Sequence, residues 1–264
     1  GKQGPRGPRA GQDINYIPPA GVLNAAGRRG SAPTPPLNLV GDFGGGGMLL
    51  AFGVVAALLE VSRSGKGQVV DAAMVDGSAL LMAGIFGLYS EGTWKDERGV
   101  NILDTGAPWY EVYETKDGRH VSIGSIEGRF YADLLERLGL GGEALPKQWD
   151  KAGWPCLRER FAAVFRTRTR AEWEQAFAGS DACFAPVLSL SEVASHPHNA
   201  ARGTFVDRDG SLEPAPAPRF SRTPGEIGAP SRGPGVDTDA ILAELGFGAG
   251  DIVDLKKRAV VGMG

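Results

Sequence analysis

The run Phe43–Leu59 holds 17 residues without a single charge, and it opens on four consecutive glycines, Gly44 to Gly47. Such a stretch is short of the roughly 20 apolar residues a bilayer-spanning helix needs. It reads as a helix from Met48 to about Ser64, apolar nearly all round until Glu60, and such a helix belongs inside a domain. Ser64-Gly65-Lys66-Gly67 ends it. Around it the pattern supplies a short strand, Gln68 to Ala72, and a second mostly buried helix, Val75 to Tyr89. Helix and strand alternating with apolar faces predict the tail of an α/β domain.

Downstream the pattern changes. Gly1 to about Pro36, and again Ser90 to Pro108, are polar and glycine-rich and read as loop and linker. Trp109 to Glu114 and Arg119 to Ser125 flank Lys116-Asp117-Gly118, so a β-hairpin is expected. Gly128 to Leu138 carries Phe130, Leu134, Leu135 and Leu138 at helical spacing, with Gly139 as its stop. Leu157 to Arg166 predicts another helix, and the capping box Thr169-Arg170-Ala171-Glu172 opens one through about Ala178. This middle region is a small α+β unit. Glu213 to Pro218 alternates with proline and must be extended. Two short helices, about Thr238 to Leu245 and Asp251 to Arg258, close the chain.

Bulk properties narrow the function. At 264 residues and 42% hydrophobic content the chain can build a real core. A net charge of −3 gives no general field for nucleic acid or an anionic membrane. Cys156 and Cys183 make no disulfide framework; they suit a reducing, cytoplasmic compartment and read as small core residues. The chain opens on Gly1, and residues Gly1 to Arg9 have the character of an interior loop, so an upstream part is expected to lie outside this sequence.

Two segments carry chemistry. In Gly11-Gln12-Asp13-Ile14-Asn15-Tyr16 and in Asn38-Leu39-Val40-Gly41-Asp42-Phe43, an acid stands near a glycine-rich turn that leads into the apolar helix. A carboxylate there is a general acid/base or a helix cap. The glycines bring N–H donors close to a ligand oxygen or let two helices pack closely. Glu127, between a strand and a helix, is a functional carboxylate or a surface cap. Arg166 to Arg170 reads as a solvated helix end, His120 as an exposed strand residue, and His196-Pro197-His198 lacks the neighbours of a metal site.

Taken with Gly65-Lys66-Gly67-Gln68-Val69-Val70-Asp71-Ala72-Ala73-Met74, Ser180-Asp181-Ala182-Cys183, Pro186-Val187-Leu188 and Pro216-Ala217-Pro218-Arg219-Phe220-Ser221, these segments resemble the alpha-methylacyl-CoA racemases of the family III CoA-transferase (CaiB/BaiF-like) group. The resemblance implies an α/β fold: a large Rossmann-like domain whose N-terminal part is absent here (remainder 1–95), a linker 96–108, a small α+β domain 109–205, and a C-terminal return 206–264. It also implies an interlocked homodimer.

The resemblance implies an isomerase of lipid metabolism acting on 2-methylacyl-CoA thioesters through an enolate. Asp42 serves one face of the α-carbon. Gln12 stands where the family has a histidine, which Glu127 supports. Asp13, Tyr16, Gly44, Gly45 and Gly46 line the substrate. CoA enters as part of the substrate; no separate cofactor, metal, nucleic acid or membrane is implied. Because a carboxamide exchanges no proton near neutral pH, Gln12 leaves two other readings open. One is a family III CoA-transferase with Asp42 as nucleophile; the other is a noncatalytic CoA-binding homologue.

Overall fold

The computed structural model describes residues 5, 7, 9–228 and 233–262, so most of the opening Gly1 to Arg9 segment lies outside the described residues. The chain divides into two compact units, one ending at Val187 and one beginning at Leu188.

The core of the first unit lies in its second half, around a three-stranded antiparallel sheet ordered β1 (Tyr110–Glu114), β2 (His120–Gly124), β3 (Phe184–Pro186). The expected hairpin forms because Gly118 adopts φ 70° and its N–H bonds the Thr115 carbonyl at 3.0 Å. Val121 and Ile123 alternate inward with period two, as a half-buried strand requires. Helices α6 (Gly128–Arg137), α7 (Trp154–Phe165) and α8 (Arg170–Ala176) cover that face with Tyr131, Leu134, Leu157, Phe161, Phe165 and Trp173. Enclosing a side chain such as Phe161 or Leu134 contributes about 2 kcal/mol each. Polar tips are satisfied inside: Trp109 and Trp154 donate Nε1–H to the Gln148 carbonyl at 3.1 and 2.9 Å. Thr169 accepts the Glu172 N–H and Glu172 bonds back to the Thr169 N–H, the expected capping box.

The expected linker region is tied down by side chains. Asn101 is buried; its amide donates to the carbonyls of Lys95 and Glu97 and to Asp104, while its own N–H bonds Asp104 at 2.8 Å. Nor is the 166–170 segment simply solvated. Arg168 lies over the Trp173 ring at 4.7 Å, and Arg170 donates to the Val187 carbonyl and pairs with Glu174.

The first half of this unit is a helical layer. Short helices α1 (Asp13–Tyr16) and α2 (Val22–Ala25) precede a π-helical coil, Leu39–Met48, which runs on into α3 (Leu49–Ser64). Then come α4 (Met74–Leu81) and α5 (Ala83–Ser90), where a single helix was expected; the break falls at Met82. Ile17, Ala20 and Val22 pack with Val40, Val75, Ala79 and Met82.

Three expectations fail. No residue of α3 is buried, and Phe52 is 72% exposed. The continuous helix Leu39–Ser64 has 26 residues, and its most apolar 18-residue stretch has a mean hydropathy of 1.8, so by length and composition alone it could cross a bilayer. Gln68–Ala72 is no strand: it has no partner among the described residues and leaves Val69 94% exposed. A strand exists only through its ladder. Both free cysteines, expected in the core, are exposed.

In the second unit, α9 (Pro197–Arg202) leads into a hairpin of β4 (Phe205–Arg208) and β5 (Ser211–Pro214). Its two-residue turn, Asp209 and Gly210, has φ 54° and 84°, the positive pair that matches strand twist. Helices α10 (Thr238–Glu244) and α11 (Ala249–Lys257) are joined by Lys256 and Asp239 at 2.6 Å.

Candidate active site

The head of the π-helical coil is organised by a residue 28 positions upstream of it. Asp13 opens α1, is 5% exposed, and turns its carboxylate onto the coil. Its Oδ2 accepts the N–H of Gly41 at 2.7 Å and of Asp42 at 2.8 Å. These are leading donors of a helix, which have no partner inside it. Asp42 itself is half-buried in the first turn, and its Oδ2 accepts from Asn38 Nδ2 at 3.0 Å. The capping acid is thus Asp13, and Asp42 is left with Oδ1 outside any hydrogen bond among the described residues.

The glycine run has a geometric cause. A Cβ on Gly44, Gly45, Gly46 or Gly47 would meet the carbonyl oxygen five residues earlier at 3.1, 3.0, 2.9 and 3.3 Å. A wide coil, whose N–H groups reach five residues back, crowds those carbonyls against the Cβ positions. Gly45 also packs on α4, where its Cβ would stand 2.7 Å from the Ser78 nitrogen. The close-packing possibility for the run is met where Gly45 lies against α4. The N–H groups of the run serve the coil's own ladder.

Gln12 is exposed at the N-terminus of α1. Its N–H bonds Asn15 Oδ1 at 3.1 Å and its carbonyl accepts from the N–H of Asn15 at 2.8 Å. Tyr16 folds back so that a Cβ on Gly11 would lie 3.0 Å from its ring.

Glu127 stands exposed before α6 and caps nothing with its side chain. The turn that carries it is rigid. Ser125 donates to the Ala182 carbonyl at 2.6 Å, and Gln148 Nε2 donates to the carbonyls of Ser125 and Ile126 at 3.0 and 2.8 Å. The charge of Glu127 reaches Cys183, whose thiol pKa is raised by partial burial first and by Glu127 and Asp181 next. The structure therefore joins Asp13, Asn38, Gly41 and Asp42 directly and sets Gln12 beside them in the chain. It puts Glu127 in the hairpin half of the unit, with no hydrogen bond to Gln12 or Asp42. Asn38 escaped notice as a site residue; its signal is its place four positions before Asp42, on one helical face.

The fold is that of a CaiB/BaiF family protein: a crystal structure from Brucella suis matches with a TM-score of 0.74 at 22% identity, covering 93% of this chain and 65% of that one. Sequence gives the narrower placement. The profile of CoA-transferase family III matches residues 1–239. The chain is 47% identical over 255 residues to mouse alpha-methylacyl-CoA racemase (96% of this chain, 67% of that protein), and 43% identical to the human racemase (96% and 66%). The chain belongs to CoA-transferase family III. It spans about two thirds of the length of these curated relatives.

Proposed function

We propose that this chain carries the proton-transfer half-site of an acyl-CoA isomerase of the alpha-methylacyl-CoA racemase type. The observation that carries the reading is the fixed carboxylate of Asp42, tethered by Asn38 and mounted on backbone that Asp13 holds. Its free Oδ1 is the base that removes the α-proton of a 2-methylacyl thioester; the electron pair moves into the thioester carbonyl as an enolate. Return of the proton to the same carbon completes the cycle. Gln12, in the place of the family histidine, has no proton to give near neutral pH. Exchange is therefore one-sided and proceeds without inversion. Acyl-CoA is the substrate and no further cofactor is needed.

The uncovered face of α3 supports the expected assembly, a fuller Rossmann-like domain in an interlocked homodimer, because contiguous apolar surface of that extent marks a protein contact.

Incubating each enantiomer of a 2-methylacyl-CoA in deuterated water tests the reading. Label enters one enantiomer and chirality is retained. Rapid uptake into both, or into neither, overturns it.

Gln12 favours one alternative. As a family III CoA-transferase, Asp42 attacks the thioester carbonyl; the C–O bond of a mixed anhydride forms, the C–S bond breaks, and CoA leaves as the thiolate. No histidine is needed. A free carboxylic acid supplied with an acyl-CoA becomes a new thioester only on this reading.

A further inference from the structure

We propose that Asp13 is the positioning residue of this site: its buried carboxylate clamps the Gly41–Asp42 backbone and so fixes the direction of the Asp42 carboxylate. The inference rests on the proton-transfer role given to Asp42 above. Three observations carry it. Oδ2 takes both N–H groups at 2.7 and 2.8 Å, one of them belonging to Asp42 itself. Oδ1 is shut off from solvent and has no hydrogen-bond partner among the described residues, so the carboxylate is held there half-satisfied. Finally, a Cβ on Gly41 would stand 2.5 Å from Asp13 Oδ2 and 2.9 Å from Ile17 Cγ2, so residue 41 has no side chain because the clamp occupies its place.

Chemistry explains why the clamp matters. Asp13 is at once the first residue of α1 and the acceptor at the head of the coil. The positive end of the long coil therefore meets this carboxylate. Without it the leading turn of the coil has free N–H groups and frays. Asp42 sits in that turn, so fraying swings its carboxylate off the α-carbon while the rest of the substrate surface stays in place. Proton transfer requires alignment, and a displacement of about 1 Å at the reacting atoms costs on the order of 100-fold in rate.

The test compares Asp13→Ala, Asp13→Asn and Gly41→Ala with the parent protein by two readouts. One is amide hydrogen exchange at Gly41 and Asp42. The other is kcat and KM for α-proton exchange in deuterated water. Asp13→Ala and Gly41→Ala lose amide protection at both positions and lower kcat by about 100-fold, with KM within about threefold. Asp13→Asn keeps an oxygen acceptor, keeps the protection, and stays within about fivefold of the parent kcat. The double variant Asp13→Ala with Gly41→Ala is no slower than either single one, because both break the same unit. Protection that persists in Asp13→Ala overturns the clamp. So does lost protection with an unchanged kcat, or Asn as damaging as Ala. A parent protein that exchanges no α-proton overturns the proposed function instead, and the amide protection then decides the clamp by itself.

Discussion

Gly77 and Gly45 are in backbone contact: a Cβ built on Gly77 would lie 1.9 Å from the Gly45 carbonyl oxygen. At this contact between α4 and the π-helical coil there is no room for a methyl group. Gly77→Ala must push the two helices apart, and overpacking of that kind costs about 3 kcal/mol. Gly84→Ala in α5 meets nothing within 4 Å and gains about 0.5–1 kcal/mol from helix propensity. Urea denaturation separates the two. A Gly77→Ala midpoint equal to that of the parent would show that the coil does not rest on α4.

Sequence reading succeeded where the determinants are local. The Lys116-Asp117-Gly118 turn, the Thr169–Glu172 box and the stop at Gly139 each depend on residues within a few positions, and each stands where its pattern put it. It failed where a distant partner decides. The composition of α3 predicts burial only if something covers it, and Gln68–Ala72 is a strand only if a neighbour pairs with it. The Asp13 clamp spans 28 positions and carries no periodic signal. The mixed α/β character and the two motif segments were therefore legible, while the hydrogen bonds from Gly41 and Asp42 to Asp13 needed coordinates.

The apolar face of α3 should betray itself in solution. Phe52, Val55 and Leu58 are all more than half exposed, a contiguous patch at helical spacing. The 264-residue chain is expected to enhance the fluorescence of an apolar-surface dye and to self-associate as concentration rises. Phe52→Glu with Leu58→Glu lowers both signals and leaves the hairpin unit folded. Unchanged dye binding in that variant would locate the sticky surface elsewhere.

Glu111 pins the N-terminal segment to the hairpin. Its side chain is 3% exposed and takes Arg28 in a fork at 2.8 and 2.9 Å, with Arg158 at 3.8 Å. Glu111→Ala removes charge-assisted bonds and is expected to cost about 1–3 kcal/mol. Freed from the fork, the bond between Arg28 and Arg29 becomes a faster site of tryptic cleavage. Equal cleavage rates in parent and variant would mean the fork holds nothing in place.

Glu172 gives stability an acid limb. The Thr169 N–H, and then its hydroxyl, hold the Glu172 carboxyl below its ordinary 4.5. Because the folded pKa is depressed, the unfolded chain binds the proton first. The contribution is full above 4.5 and disappears as pH falls through the folded value. Glu172→Gln, which cannot titrate, should be less stable than the parent at neutral pH and converge with it in acid. Two parallel stability curves from neutral pH into acid would contradict this assignment.

Gln12 offers the most direct control of the chemistry. Its backbone is held independently of its side chain: the N–H goes to Asn15, and the carbonyl takes the N–H of Asn15 and of Tyr16. The carboxamide itself is exposed, so an imidazole can replace it without unsettling α1. Gln12→His supplies a group that titrates at about 6.5 and can both take and give a proton near neutrality. If Asp42 serves one face of the α-carbon and position 12 the other, this variant turns one-sided exchange into inversion, and chiral analysis shows racemic product where the parent returns its starting enantiomer. The inversion rate should rise with pH as the imidazole loses its proton when the base is position 12, and fall when position 12 is the acid, so running both enantiomers gives opposite limbs. A Gln12→His protein that exchanges label but still retains configuration would place position 12 away from the reacting carbon, and the two-base arrangement would be lost with it.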